Sequence, residues 1–249
     1  MDDENEKLKL MKNSHEGTQR AIDRTNEIPF LDMPEELVKI GQRISELEKI
    51  HYCDISSNQL DKCIIRARRS VEQKQCYSAQ WKWVPSNYYD LNLSQRAELL
   101  SAFDTRQLCK VVLMENRNYD STVCTNEQFF LIVVQYDATI STQKLQREVR
   151  CLRPPKTRLD VSKFNFRLAN EVDNDRLTGY QHNSVSPFGL LPVAAQNGKC
   201  VPIILSAAIV KTVNFIWMGG GHVDLKLGMS IDDFSNALKP LILDVSDER

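Results

Sequence analysis

Residues 178–190 read TGYQHNSVSPFGL. Glycine, serine, asparagine and proline surround only a few apolar side chains there. Such a stretch is a poor helix interior and a poor core strand. It reads as a tight loop that turns backbone N–H and C=O groups toward something small. Two other stretches share its unusual character. In LCKVVLME (108–115) a lone lysine, Lys110, opens an apolar run. In FIWMGGGHVDLKLG (215–228) three glycines follow an apolar run of strand length.

Outward from these stretches, the chain divides by composition. Residues 1–30 are polar and charge-mixed, without an apolar period, and are expected to be disordered or loosely helical. Leu37, Ile40, Ile44, Leu47 and Ile50 recur at three- and four-residue steps, the stripe of an amphipathic helix ending near Tyr52. A second helix is expected over 58–76, with Leu60, Ile64, Ile65 and Val71 on its apolar side. The two would form a helical extension over 31–80, as a hairpin or a short coiled coil. The aromatic stretch WKWVPSNYYD (81–90) would anchor that extension on the following domain, either as a lid on the core or as a base-stacking surface.

From 81 to 249 strands and helices alternate. Runs 108–115 and 128–136 have strand length and composition, and the polar segment between them predicts a hairpin. Ser94, Ser141 and Ser230 are expected to cap helices, and Pro154-Pro155 to stop the second of these. A short strand is expected over 164–168, a turn or single helical turn over 170–175, and a short helix over 206–210. The glycines at 219–221 are expected to turn the chain between two strands. Several connections are too short for crossover helices, so the order favours a mixed α/β fold over a doubly wound parallel one.

Composition excludes several functions. The net charge of −1 is not that of a globally basic nucleic-acid binder, so any RNA contact needs a local patch. No apolar run is long enough to span a bilayer, and MDDENEKLKL is too acidic for a signal peptide. Seven scattered cysteines without a CxxC pair read as free thiols of a cytoplasmic protein. No HxxxH or CxxxH spacing offers a metal site, no GxSxG elbow offers a serine nucleophile, and no cofactor motif occurs.

Charge concentrates between 144 and 167, where eight lysines and arginines face only Glu148 and Asp160. Arg147, Arg150 and Arg153, with Lys156 beyond them, would lie near one helical face. They are either a solvated surface or a track for phosphates. Arg66, Arg68 and Arg69 offer a second such cluster.

Taken together, Lys110 before its apolar run, the 178–190 loop and the glycine triplet resemble the YbaK/prolyl-tRNA-synthetase-associated editing domains, a family of aminoacyl-tRNA deacylases. The resemblance covers about 105–242. It is nearest to a eukaryotic stand-alone branch with an N-terminal helical extension. In the family pattern GYxxGGVSPxG, Gly179, Tyr180, Val185, Ser186, Pro187 and Gly189 match, while Asn183 and Ser184 replace two glycines. Asparagine tolerates a left-handed backbone best among non-glycine residues, so Asn183 can keep the turn.

The resemblance implies a mixed sheet flanked by helices. It implies catalysis through Lys110, which would hold the terminal adenosine or ester end of aminoacyl-tRNA. A substrate pocket would be built from the loop and from Gly220, Gly221 and His222, without metal or cofactor. The reaction would be hydrolysis, in trans, of tRNA mischarged with a small amino acid, with aminoacylated tRNA as partner and a synthetase as a second partner through the N-terminal helices. The other reading is an inactive editing fold that binds tRNA or a synthetase.

Overall fold

The computed structural model describes residues 58–120, 127–192 and 200–248. The chain divides into two compact units, Met1–Ser56 and Ser57–Arg249, and every described residue belongs to the second. The helix expected near 37–52, and hence the hairpin or coiled coil, lies outside the described residues.

Helix α1 (Asn58–Gln73) belongs to this second unit. It buries Ile64, Ala67 and Val71. Ile65, expected on the apolar side, is 45% exposed, and Ala67 stands on the buried face instead. An alanine lets the helix approach closely enough to meet Leu113, Leu131 and Tyr180 in one cluster. Strand β1 (Gln80–Trp83) follows, and then the short helix α2 (Leu93–Leu100). Asn92 caps α2, not Ser94: its side chain accepts from the Gln95 N–H, and Gln95 answers back to the Asn92 N–H.

Strands β2 (Cys109–Asn116) and β3 (Phe129–Gln135) form the expected antiparallel hairpin, with Lys110 opposite Val134. Next come β4 (Ala138–Ile140), helix α3 (Thr142–Cys151), β5 (Phe166–Leu168) and helix α4 (Glu171–Thr178). Where a turn or a single helical turn is expected over 170–175, Asn170 caps a helix of two turns that ends on left-handed Gly179 (φ 72°). Then follow β6 (Ile203–Ser206), α5 (Ala207–Thr212), β7 (Phe215–His222), β8 (Leu225–Ser230) and α6 (Ile231–Leu238), the last capped by Ser230 as expected. Two short strands, β9 (Leu241–Leu243) and β10 (Ser246–Glu248), end the chain.

The main sheet is mixed, in the order β5-β2-β3-β6-β9. Its first pairs are antiparallel, and β3-β6 and β6-β9 are parallel. Central β3 reads FFLIVVQ and is buried throughout, because both its faces are covered. Phe130 and Ile132 pack with Leu145 and Val149 of α3, while Leu131 and Val133 face the clusters that hold α1 and β7. A second, antiparallel sheet has the order β1-β8-β7. It touches the first through the Leu108–Trp217 bridge. The glycine triplet does not turn the chain. All three glycines lie within β7, where the register shifts between Gly219 and His222, and the turn falls after them.

Candidate functional site

The 178–190 loop is held from inside. Tyr180 is 1% exposed and donates its hydroxyl to the Phe188 carbonyl at 2.6 Å, closing the loop on itself. Burial pushes that phenol up to about 12, so it stays a donor at any physiological pH. Ser186 is fully buried, its Oγ accepting from the Phe188 N–H, and Pro187 is buried beside it. Ser184 folds its Oγ back onto the Gln181 carbonyl at 2.7 Å. Asn183 sits at φ 62°, the left-handed conformation expected where the family pattern has glycine. From α1, Arg66 donates to the Gly179 carbonyl and lies 4.4 Å over the Tyr180 ring. Arg66 is therefore a clamp on the loop.

Between this loop and the open edge of β2 lies a cleft of about 660 Å³. The edge is open because β5 pairs with β2 only at Met114–Asn116. The Leu113 carbonyl accepts from Ala169 on that side. By the alternation of an antiparallel pair, the N–H and C=O of Val111 point the same way, into the cleft. Lys110, His182, Asn183, Val185, Gly219 and Lys226 share the lining with Tyr88, Tyr89 and Trp217. The fold thus brings Lys110, His182, Asn183 and Val185 of the loop, and β7 to one concavity, of a size typical for small-ligand sites, about 300–1,000 Å³. Gly179, Tyr180, Ser184, Ser186 and Pro187, expected at the site, do not line it. The Lys110 ammonium donates to the Ala138 carbonyl at 2.8 Å.

The glycines divide their work. Gly219 lines the cleft, and Gly220, Gly221 and His222 do not. A side chain at Gly219 would meet the Val185 carbonyl at 2.2 Å. Gly221, at φ 95°, lets β7 pass the Cys63 carbonyl of α1, and its N–H donates to the Ser184 carbonyl. His222 packs its ring 5.3 Å from that of Trp83, and its Nδ1 accepts from the Asp224 N–H. Burial lowers its pKa.

Lys226 was not singled out in the sequence. Its run, Val223–Leu227, alternates, and alternation alone would leave one face of a strand open to solvent. But β8 is the middle strand of its sheet, and Tyr88 and Tyr89 cover its second face. Lys226 is 4% exposed. It donates to the Tyr89 hydroxyl at 2.9 Å and the Val223 carbonyl at 2.7 Å, and lies 4.6–4.7 Å from both tyrosine rings. Burial lowers its pKa from 10.5 to about 8, against a raising effect of Asp224 and a further lowering by Arg96. Between those values the unfolded chain holds a proton that the folded one does not. Stability is then fully present above 10.5 and falls as pH drops toward 8, by on the order of 3 kcal/mol. Urea unfolding should show the parent gaining stability from pH 8 to 10 relative to Lys226→Met. Parallel pH curves for the two would contradict this.

The basic stretch looks different in three dimensions. Lys144 pairs with Asp244 and Asp247, and Arg147 with Glu148 and, at 3.7 Å, Asp244. Arg150 donates to the Leu159 carbonyl, and one terminal nitrogen of Arg153 is buried with no hydrogen-bond partner among the described residues. Lys156 is exposed. On α1, exposed Lys62 and Arg69 flank a groove that reaches Gly189 and Leu190 at the far end of the loop. Among the described residues no His, Cys, Asp or Glu cluster could hold a metal ion, and no helix is long and apolar enough to cross a membrane.

Residues 92–237, more than half of the chain, match the aminoacyl-tRNA editing domain family. The chain belongs to that family. The editing-domain match spans every wall of the cleft except Tyr88 and Tyr89. Among solved structures, a candidate trans-editing enzyme for prolyl-tRNA synthetase is 14% identical, with a TM-score of 0.56 over 74% of this chain and 97% of its own. The hypothetical protein APE2540 is 15% identical, with a TM-score of 0.53 over 73% of this chain and 99% of its own. At such identities both show a shared editing-domain architecture and nothing finer. No curated protein matches the chain.

Proposed function

We propose that this editing-domain protein is a cytoplasmic aminoacyl-tRNA deacylase. It would act in trans on tRNA mischarged with a small amino acid. The observation that carries the reading is the convergence of Lys110, the Asn183 bend and the Val111 main chain on one cleft. The reaction needs no enzyme nucleophile. Water, oriented by the loop main chain and by the substrate's own vicinal hydroxyl, attacks the ester carbonyl and ends in the carboxyl group of the freed amino acid. The ribose oxygen leaves with a proton, and fixed dipoles steady the oxyanion. Lys110 would leave the Ala138 carbonyl for the terminal adenosine or the ester. His182, Asn183 and Val185 narrow the cleft on the loop side, which suits alanyl, seryl or cysteinyl groups. Discrimination against one methylene at a synthetase is worth only about 1–3 kcal/mol, which is why a second hydrolytic site is useful.

Ala-, Ser- and Cys-tRNA^Pro, incubated with the full chain, test the reading. Release of amino acid from one of them, above the spontaneous rate, supports it. Turnover of none, with tRNA still bound, leaves the non-catalytic binder, which the Lys110–Ala138 bond favours because it turns one of the ammonium's three donors to the protein's own main chain.

The tRNA body would lie along basic surface. Arg147 remains available in spite of its ion pairs, since exposed pairs are worth about 0–1 kcal/mol and a phosphate can displace them. Arg150, Arg153 and Lys156 continue that track, and Lys62 and Arg69 are a second. Lys156→Ala, Lys62→Ala and Arg69→Ala should each weaken tRNA binding and lower the salt slope by about 1. A filter-binding titration over a range of salt reads this out. A variant whose slope stays at the parent value removes its residue from the interface. A synthetase partner for the N-terminal segment belongs to the same proposal.

A further inference from the structure

Buried Lys226 and half-buried Tyr89 form a chain that ends on the Asn183 bend. The Lys226 ammonium donates to the Tyr89 hydroxyl at 2.9 Å, and that hydroxyl donates to the Asn183 carbonyl at 3.0 Å. All three residues line the cleft. Asn183 is where this chain departs from the two-glycine family pattern, and its left-handed backbone carries a side chain there. An exposed bend in that conformation is held only where its surroundings over-determine it. Here the determinants are the Ser184 hydroxyl on Gln181 from within the loop and Tyr89 from outside it. Tyr89 is in turn fixed by the Lys226 cation and by Arg96, which donates to the Tyr89 carbonyl and lies 5.4 Å from its ring.

A lysine on a central strand is an odd choice for core. Its desolvation lowers the stability of the folded state. An apolar side chain would fill the same space without that cost.

We infer that Tyr89 and Lys226 are positioning residues that act as one unit to hold the Asn183 bend against the cleft in the geometry deacylation needs. The inference rests on the deacylase reading for its kinetic consequence and on the hydrogen-bond chain for its structural one. The two can be read separately. Tyr89→Phe, Lys226→Met and the double variant of the full chain are compared with the parent in three measurements. These are kcat and KM on the mischarged tRNA that the parent turns over, the thermal unfolding midpoint at pH 7, and amide hydrogen exchange over 182–186.

The expected kcat falls about tenfold or more in each single variant while KM stays within about threefold. The double variant is no worse than the poorer single one. Exchange over 182–186 quickens about tenfold, while the unfolding midpoint of Lys226→Met stays level or rises. Should the parent turn over no mischarged tRNA, the deacylase reading fails, and exchange alone decides the positioning role. Unchanged exchange in both single variants overturns the inference. So does a kcat within twofold of the parent, or a loss of activity that merely follows a lowered unfolding midpoint.

Discussion

Lys110→Ala is expected to lower kcat/KM for deacylation about a hundredfold or more while lowering the unfolding midpoint by no more than about ten degrees. Lys110 is held in place by its strand, not by its side chain: β2 pairs with β3 from Cys109 to Glu115, with Lys110 opposite Val134. Alanine keeps that ladder. What it removes is a half-buried ammonium beside the cleft and its bond to the Ala138 carbonyl. Ala138 is buried, and losing one charged donor to its carbonyl costs about 1–3 kcal/mol. The loss at the reaction centre is larger in effect: with Lys110 turned to the ester end, removing one charged donor there typically costs about 10²–10³ in rate. Lys110→Met, which keeps the stem, separates charge from packing and should be as inactive as Lys110→Ala. Activity within threefold of the parent in both would remove the ammonium from the mechanism and leave the loop to act alone.

Gly219→Ala is expected to destabilise the fold by about 3 kcal/mol or more, above the usual range of about 1–3 for overpacking. The added carbon would stand 2.2 Å from the Val185 carbonyl oxygen and 3.0 Å from its carbon. Both are main-chain atoms, so no rotamer change relieves the clash. The loop or β7 must move. They are tied together two residues on, where the Gly221 N–H meets the Ser184 carbonyl. Gly220→Ala is the control. It meets the Leu225 carbonyl oxygen at 3.0 Å and the Leu225 Cγ at 3.1 Å, much less close than the contact at Gly219, and should cost clearly less. Urea midpoints for the two variants check the ranking, and the deacylation assay should show Gly219→Ala impaired even where it remains folded. Equal midpoints for Gly219→Ala and the parent would mean the loop does not sit against β7 as described.

Much of this site could be read along the chain. Lys110 was legible because a charge interrupts an apolar run, and the loop because its residues suit neither helix nor strand. Asn183 was legible as a left-handed position from the chemistry of asparagine alone, and it sits at φ 62°. The glycine triplet was seen but misassigned: three glycines in a row read as a turn, whereas they serve close approach within β7. The fault lies in the signal itself, since glycine marks both turns and crowding. Tyr89 was noticed only as one aromatic among several, and Lys226 not at all. Nothing local distinguishes a lysine on an edge strand from one on a middle strand. The C-terminal acids were likewise invisible as partners of α3. Asp244 lies 100 residues from Lys144 in sequence but 3.1 Å away in space.

By itself, then, the amino-acid order determined the strand and helix alternation, the mixed sheet, the loop at 178–190 and the editing-family character of the whole. The first three rest on local preference and periodicity, which neighbouring residues set between them; the family character rests on the resemblance of Lys110, the loop and the glycine triplet to the family's motifs. Only the tertiary structure decided which glycine walls the cleft, which lysine lies buried behind Tyr89, and how far the basic stretch is neutralised. Burial and charge pairing depend on which distant segment covers a residue, and that is a property of strand order and packing across the fold.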